Sequence, residues 1–151
     1  MISLIALLCS SLLLPLAISA PNEETLPDSA VLEIQAYGLT ETDDSHMLSQ
    51  DPEKEIRIFL IPAGVTFEAA PDAEALRQAA VSHTSTSPEG RALLLAKSGS
   101  YKICAAAKPY GKDAAADIIA CEDIELLPIV KTSLQLIHTM RGDKLYFGNL
   151  K

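Results

Sequence analysis

The chain has 151 residues, 48% of them apolar and only 5% aromatic, and its 12 basic against 20 acidic side chains give a formal net charge of −8 at pH 7. No run of lysine or arginine is available to neutralise phosphates, which excludes nucleic acid as a partner, and the same acidity disfavours adsorption to anionic lipid headgroups. With an export signal removed, about 130 residues remain, enough for one domain that buries roughly two-thirds of its unfolded surface.

Residues 1 to 20, MISLIALLCSSLLLPLAISA, carry no charged side chain, and the first acids follow in PNEETLPD. The apolar run from Ile2 to Ile18, closed by Ala17 and Ser19, predicts a secretory signal peptide over residues 1–19. Cleavage one residue later, giving 1–20, would set Pro21 directly behind the scissile bond, where its fixed φ and missing N–H are unfavourable. An uncleaved amino-terminal membrane anchor is the alternative, since the run approaches the length of a span. Cleavage leaves a periplasmic or extracellular chain with no membrane span. Residues 20–29 are then a polar lead-in without periodicity, and 30–151 form the domain.

Val31 to Tyr37 alternates Leu32, Ile34 and Ala36 against Glu33, Gln35 and Tyr37, the period of a strand with one buried face. Thr40 to Lys54 is polar and turn-rich, and it reads as a long exposed loop whose acids, Glu41 to Glu55, are solvated. EIRIFLIP follows as a strand with Ile56, Ile58 and Leu60 on one face, ended by Pro62. Over residues 71–80 the period becomes helical: Ala73, Leu76 and Ala80 share a face, Pro71 suits a first turn, and Asp72 and Glu74 sit at the positive end. VSHTST returns to strand composition, and Ser87 to Gly90 is a turn with proline second and glycine fourth. RALLLA, a turn at KSGS, and YKICAAA continue the pattern.

Removal of the signal takes Cys9 with it and leaves Cys104 and Cys121, an even pair in an exported chain. Opposing them in a hairpin of YKICAAA and DIIACEDIEL centres the turn between Lys112 and Asp113, inside the polar KPYGKDAAA segment. Opposed residues of an antiparallel pair share a face, so the sulfurs can meet. A bridge closing about eighteen residues is worth roughly 3 kcal/mol in the loop-entropy model. The alternative is two separately buried thiols. KTSLQLIHTM and KLYFGN close the chain as a hairpin around Arg141-Gly142-Asp143, an integrin-ligand tripeptide whose glycine and aspartate are better explained as turn residues. The whole is mainly β: a Greek-key-type β-sandwich of about seven or eight strands with one short helix.

The succession IRIFLIP, the helix, Thr84 to Thr86, Pro88-Glu89-Gly90-Arg91, Leu93 to Leu95, and Gly99-Ser100-Tyr101 with Ile103 resembles the carboxypeptidase regulatory-like family over residues 30 to 127. The resemblance implies a transthyretin-like, Cna-B-like β-sandwich. It departs from the family pattern at Ala92, where an apolar aromatic usually follows Gly-Arg, and at Ser98, which stands where proline is usual. Gly90 and Gly99 permit turns that a Cβ would strain, Arg91 completes the first turn motif, and Tyr101 is a core plug whose hydroxyl needs a partner. Such domains imply a non-catalytic module that contacts another protein of the envelope or extracellular space, with no cofactor.

Two other classes are weighed against it. His46-Met47 and His138 with Met140 pair imidazole with thioether, a donor set suited to copper in an exported protein; His83 is most simply a strand residue. Transthyretin-like sandwiches also include a hydrolase of 5-hydroxyisourate whose chain ends Tyr-Arg-Gly-Ser. Here Tyr146-Phe147-Gly148-Asn149 keeps the tyrosine and glycine and lacks the arginine and serine. No nucleophile motif, zinc-ligand spacing or phosphate-binding glycine loop is present.

Overall fold

The computed structural model describes residues 28–41 and 48–149, so the expected signal peptide, nearly all of the lead-in and the His46-Met47 pair lie outside the described residues. In chain order the described elements are β1 (Ser29–Glu41), β2 (Leu48–Pro52), β3 (Arg57–Pro62), α1 (Ala73–Ala79), β4 (Ser82–Ser85), β5 (Arg91–Lys97), β6 (Gly99–Ala107), β7 (Ile118–Leu126), β8 (Lys131–Thr139) and β9 (Lys144–Asn149). They make the expected sandwich of two sheets with one short helix. One sheet centres on β1, with β8 and then β9 on one side and β5 and β2 on the other; the second runs β4-β3-β6-β7.

The alternation in β1 is realised fully: Ala30, Leu32, Ile34 and Ala36 have no exposed surface. They meet Ile58, Leu60, Ile103 and Ala105 of the facing sheet and Leu94, Leu134 and Leu136 of their own. Each buried Leu or Ile contributes about 1.5–3 kcal/mol relative to exposure. β1 pairs parallel with β8, from Val31 opposite Lys131 to Leu39 opposite Thr139, and antiparallel with β5 and β2.

The segment expected as one long loop contributes β2. LSQDP carries no alternation because Gln50, Asp51 and Pro52 are exposed on a sheet edge, and its pairing with Tyr37–Glu41 rests on the backbone. The helix is shorter than 71–80. Asp72 stands outside it as the N-cap, its Oδ1 accepting from the Ala75 N–H at 2.8 Å, and Pro71 precedes that cap. Ala73 and Leu76 then cover Phe59, Ile61, Cys104 and Ala106, which face away from the main core. On the exposed side, Glu74 binds Arg77 and Gln78, which hold its carboxyl near pH about 2.

Gly90 lies at φ +74°, and a Cβ there would fall 2.4 Å from the Ala36 carbonyl oxygen. Its own carbonyl accepts from the Ala36 N–H at 2.7 Å, so this turn is welded to β1. Gly99, at φ +147°, begins β6 immediately after Ser98, where the chain passes from one sheet to the other. In the β6–β7 hairpin Cys104 is directly opposite Cys121, and the sulfurs are bonded at 2.01 Å.

Cys104→Ser should lower the stability of oxidised protein by about 3 kcal/mol and leave reduced protein nearly unchanged. Urea unfolding with and without reductant checks this, and an equal loss in both states would assign the effect to packing. Gly90→Ala should cost about 2–4 kcal/mol through positive-φ strain and displacement of the Ala36 contact. Wild-type stability for that variant would show that the turn tolerates a side chain.

Candidate functional site

The buried face of β1 continues past Ala36 to Gly38, and the parallel register sets His138 of β8 directly beside it. A Cβ at position 38 would fall 2.6 Å from Glu53 Oε2 and 2.7 Å from Tyr110 Oη, so the missing side chain makes the room that both groups occupy. Glu53 follows β2 and is positioned by its backbone: its N–H donates to the Ala36 carbonyl at 3.1 Å, and its carbonyl accepts from the Thr86 hydroxyl at 2.8 Å. Thr86 is buried, and its Oγ1 also accepts from the Ile56 N–H at 3.0 Å.

Tyr110 comes from the loop between β6 and β7. Its backbone N–H donates to Asp143 Oδ1 at 3.2 Å, while Lys112 pairs with Asp143 Oδ2 at 3.3 Å. The ring lies on His138 with centroids 4.1 Å apart and planes inclined by 17°. The Tyr110 hydroxyl donates to Glu53 Oε2 at 3.0 Å, and His138 Nδ1 is 3.3 Å from Glu53 Oε1. Burial, and then the neighbouring Glu53 charge, hold the Tyr110 hydroxyl above its ordinary pKa. The Glu53 carboxylate is therefore engaged by two partners, and His138, 1% exposed, is roofed by the tyrosine. Together these three side chains close the end of the core.

Two clefts flank this region. One, of about 360 Å³, is lined by Glu53, Glu55, Arg57, Lys108 and Tyr110. Two of its cations are committed, Arg57 and Lys108 lying 2.7 and 3.1 Å from Asp117 Oδ1, while Lys54 also lines the cleft. Burial works against the Asp117 charge, yet the pull of Arg57 and Lys108 prevails and keeps its carboxyl below the usual range. The other cleft, of about 450 Å³, lies beside α1 between Arg57, Arg77, His83 and Asp117, with Arg77 paired to Glu74.

The residues singled out in the sequence fall in several places. Gly90 and Gly99 are turns, and Arg91 Nε donates to Gln35 Oε1 at 3.3 Å. Tyr101 packs against the core and donates its hydroxyl to the Lys97 carbonyl at 2.9 Å. His138 and Met140 part company, one buried against Glu53 and the other 46% exposed at the hairpin end. His83 is exposed on β4 with its ring 6.4 Å from Phe59. Among the described residues no group of three or more His, Cys, Asp or Glu is placed to hold a metal ion. Asp143 of the Arg-Gly-Asp turn spends its carboxylate on Tyr110 and Lys112, tying two loops together. The Glu53–Tyr110–His138 cluster was not foreseen, for Glu53 had been grouped with the solvated acids. Its one local trace is Gly38, which interrupts the alternation of β1.

At the opposite pole the features are apolar. Leu93 and Leu95 project from β5 with 56% and 63% of their surface exposed, and Val81 is 58% exposed. Val81, Leu95, Ala96 and Tyr101 line a depression of about 270 Å³. The turn after β7 adds the exposed Leu127, Ile129 and Val130. Its Ile129 N–H donates to the Ser29 carbonyl, and Ser29 is opposite Lys97 at the end of β5. Among the described residues no helix is long and apolar enough to cross a membrane.

No protein-family model matches the chain, and no curated protein matches it. Among solved structures it is similar to the minor pilin of the Gram-positive pathogen Streptococcus agalactiae, at 11% identity and a TM-score of 0.49 over 76% of this chain. This chain spans 45% of that pilin's length. It is also similar to a Pseudomonas aeruginosa protein proposed to bind carbohydrate, at 12% identity and a TM-score of 0.37, over 76% of this chain and 90% of the other. These are likenesses of strand arrangement, from which nothing about binding follows.

Tyr110→Phe should cost about 1 kcal/mol at neutral pH by removing a donor from Glu53. Because the folded pKa of Tyr110 is raised, its stabilisation is complete below the ordinary value of 10.0 and is lost as pH rises above it. Wild-type stability should therefore fall more steeply above pH 10 than that of Tyr110→Phe, as followed by urea unfolding at each pH. Parallel curves would show that the hydroxyl is solvated.

Proposed function

We propose that this chain is an exported, non-catalytic β-sandwich of the carboxypeptidase regulatory-like type that works by binding another protein of the envelope or extracellular space. The observation that carries this reading is the exposed apolar set on and beside β5, Leu93, Leu95 and Val81, next to a shallow apolar depression. Contiguous exposed apolar surface on a small domain marks an interaction site. At the two clefts Glu53 is engaged by Tyr110 and His138, and Asp117 by Arg57 and Lys108.

Export is supported by the charge-free opening of the sequence and by the Cys104–Cys121 bridge, which suits an oxidising compartment. The family resemblance is supported by the Gly90-Arg91 turn and by Gly99 leading into the Tyr101 strand, whose hydroxyl finds the Lys97 carbonyl.

The test joins both parts. Sequencing the amino terminus of protein recovered from the exported fraction should give a chain beginning at Ala20. A photoreactive residue at position 93 should then yield a defined protein adduct, whereas one at the exposed position 122 on the other sheet should not. An unprocessed chain retained in the cytoplasm, or equal adduct yields at both positions, would overturn the proposal.

A further inference from the structure

The outward edge of β5 carries more information than its leucine side chains. In the antiparallel pairing of β1 with β5, the Ala36 N–H donates to the Gly90 carbonyl at 2.7 Å and the Ser98 N–H to the Asp28 carbonyl at 3.0 Å. Both belong to the register that sets Ile34 opposite Ala92 and Leu32 opposite Leu94. Backbone groups of successive residues point to opposite sides of a strand. The even-numbered residues of β5 are thus spent on β1, and Arg91, Leu93, Leu95 and Lys97 direct N–H and C=O away from it.

The ends of that outward row are already closed. Arg91 donates its N–H to Ser87 Oγ at 3.3 Å and accepts from the Ser87 N–H at 2.8 Å, while the Lys97 carbonyl accepts from Tyr101. Between them the N–H and C=O of Leu93 and Leu95 have no partner among the described residues, and no strand pairs with this side of β5, although β4 lies close to the strand. Leu93 and Leu95 are also the large apolar side chains that the strand exposes. A free ladder segment coinciding with an apolar outer face is the geometry that an added strand satisfies.

We propose that β5 receives an extended segment of a partner protein as an additional antiparallel strand, which deepens the binding-module reading and rests on it. The register specifies the partner's chemistry. Residues opposite Leu93 and Leu95 share the outer face and are apolar; the residue opposite Ala96 points inward and fills the depression lined by Val81, Ala96 and Tyr101. Residues opposite Lys97 and Arg91 are acidic. A second copy of this chain is disfavoured, because antiparallel self-pairing about Leu94 opposes Arg91 to Lys97 at both ends, with like charges facing each other. The net charge of −8 on each copy adds repulsion.

The probe is a synthetic heptapeptide with glutamate first and last and valine at the second, third and fifth positions, titrated into the mature protein with amide hydrogen exchange followed by NMR. Binding should slow exchange at the Leu93 and Leu95 amides. N-methylation of the peptide groups that face Leu93 and Leu95 should weaken it at least about tenfold, as should lysine in place of both glutamates. Leu95→Pro should remove the binding while keeping the fold, since this N–H faces the free edge where proline is tolerated. If that variant unfolds, the N-methylated peptide still decides the matter. Equal affinity of the N-methylated peptide, no binding of the parent peptide, or protection elsewhere on the protein would overturn the proposal. So would concentration-dependent protection of these amides in protein alone, which would assign the edge to a second copy. A photo-adduct at position 93 that survives Leu95→Pro would remove strand addition and leave the binding-module reading standing.

Discussion

The structure depends on the pairing of β1, a strand of thirteen residues that is bonded along both edges to β8, β5 and β2. Its even-numbered side chains face the second sheet, and each neighbour is forced into the same parity. In β8 this parity turns Leu134, Leu136 and His138 inward; in β5 it turns Ala92 and Leu94 inward. A slip of one residue would expose Leu32 and Ile34 and bury Glu33, a reversal that costs several kcal/mol and fixes the register. The polar cluster and the free edge are two consequences of that one register. Gly38 opposite His138 creates the pocket for Glu53 and Tyr110, and the same alternation aims the backbone of Leu93 and Leu95 away from β1.

The two poles of the sandwich consequently differ in kind. At the Gly38 end, segments that lie far apart in the chain are joined by a partly buried carboxylate, a buried imidazole and a phenol, with Asp143 fastening the Tyr110 loop from outside. His138 Nε2 finds no hydrogen-bond partner there, so the network is only partly satisfied, which costs stability. At the Leu95 end the closure is apolar and incomplete, and surface is left over. In the proposed strand addition β5 would lose little further freedom, because it is already held by β1.

Much of this was legible in the sequence where the information is local. Alternation placed β1, β3 and β6, and the opposed spacing of Cys104 and Cys121 gave both the hairpin and its bridge. The proline-glycine turn at Pro88 to Gly90 was legible because its residue types are dictated by its backbone. β2 was not, since an exposed edge strand such as LSQDP has no face to bury and leaves no periodic trace. The Glu53 cluster was not either: His138 is 85 residues from Glu53 and Tyr110 is 57, and they meet only through the parallel β1–β8 pair. Parallel pairing of distant strands has no local signature. Gly38 could have hinted at a close approach, though not at what approaches.

An unpaired apolar edge is ordinarily a route to aggregation, so its survival here needs a physical account. β5 limits the exposed ladder at both ends: Ser87 occupies the backbone of Arg91, and Tyr101 occupies the carbonyl of Lys97. What remains open is a short span around two leucines, flanked by a cation on each side. Strands of the same sequence are repelled by those cations, and most apolar segments lack acids at the matching spacing. In the proposed strand addition, the charges that oppose a second copy would favour a partner of the opposite sign. Natural edges are usually blunted by lysine or by a bulge to prevent pairing altogether. In β5 the basic residues stand only at the ends and leave the middle unpaired, an arrangement that selects among partners more than it excludes them.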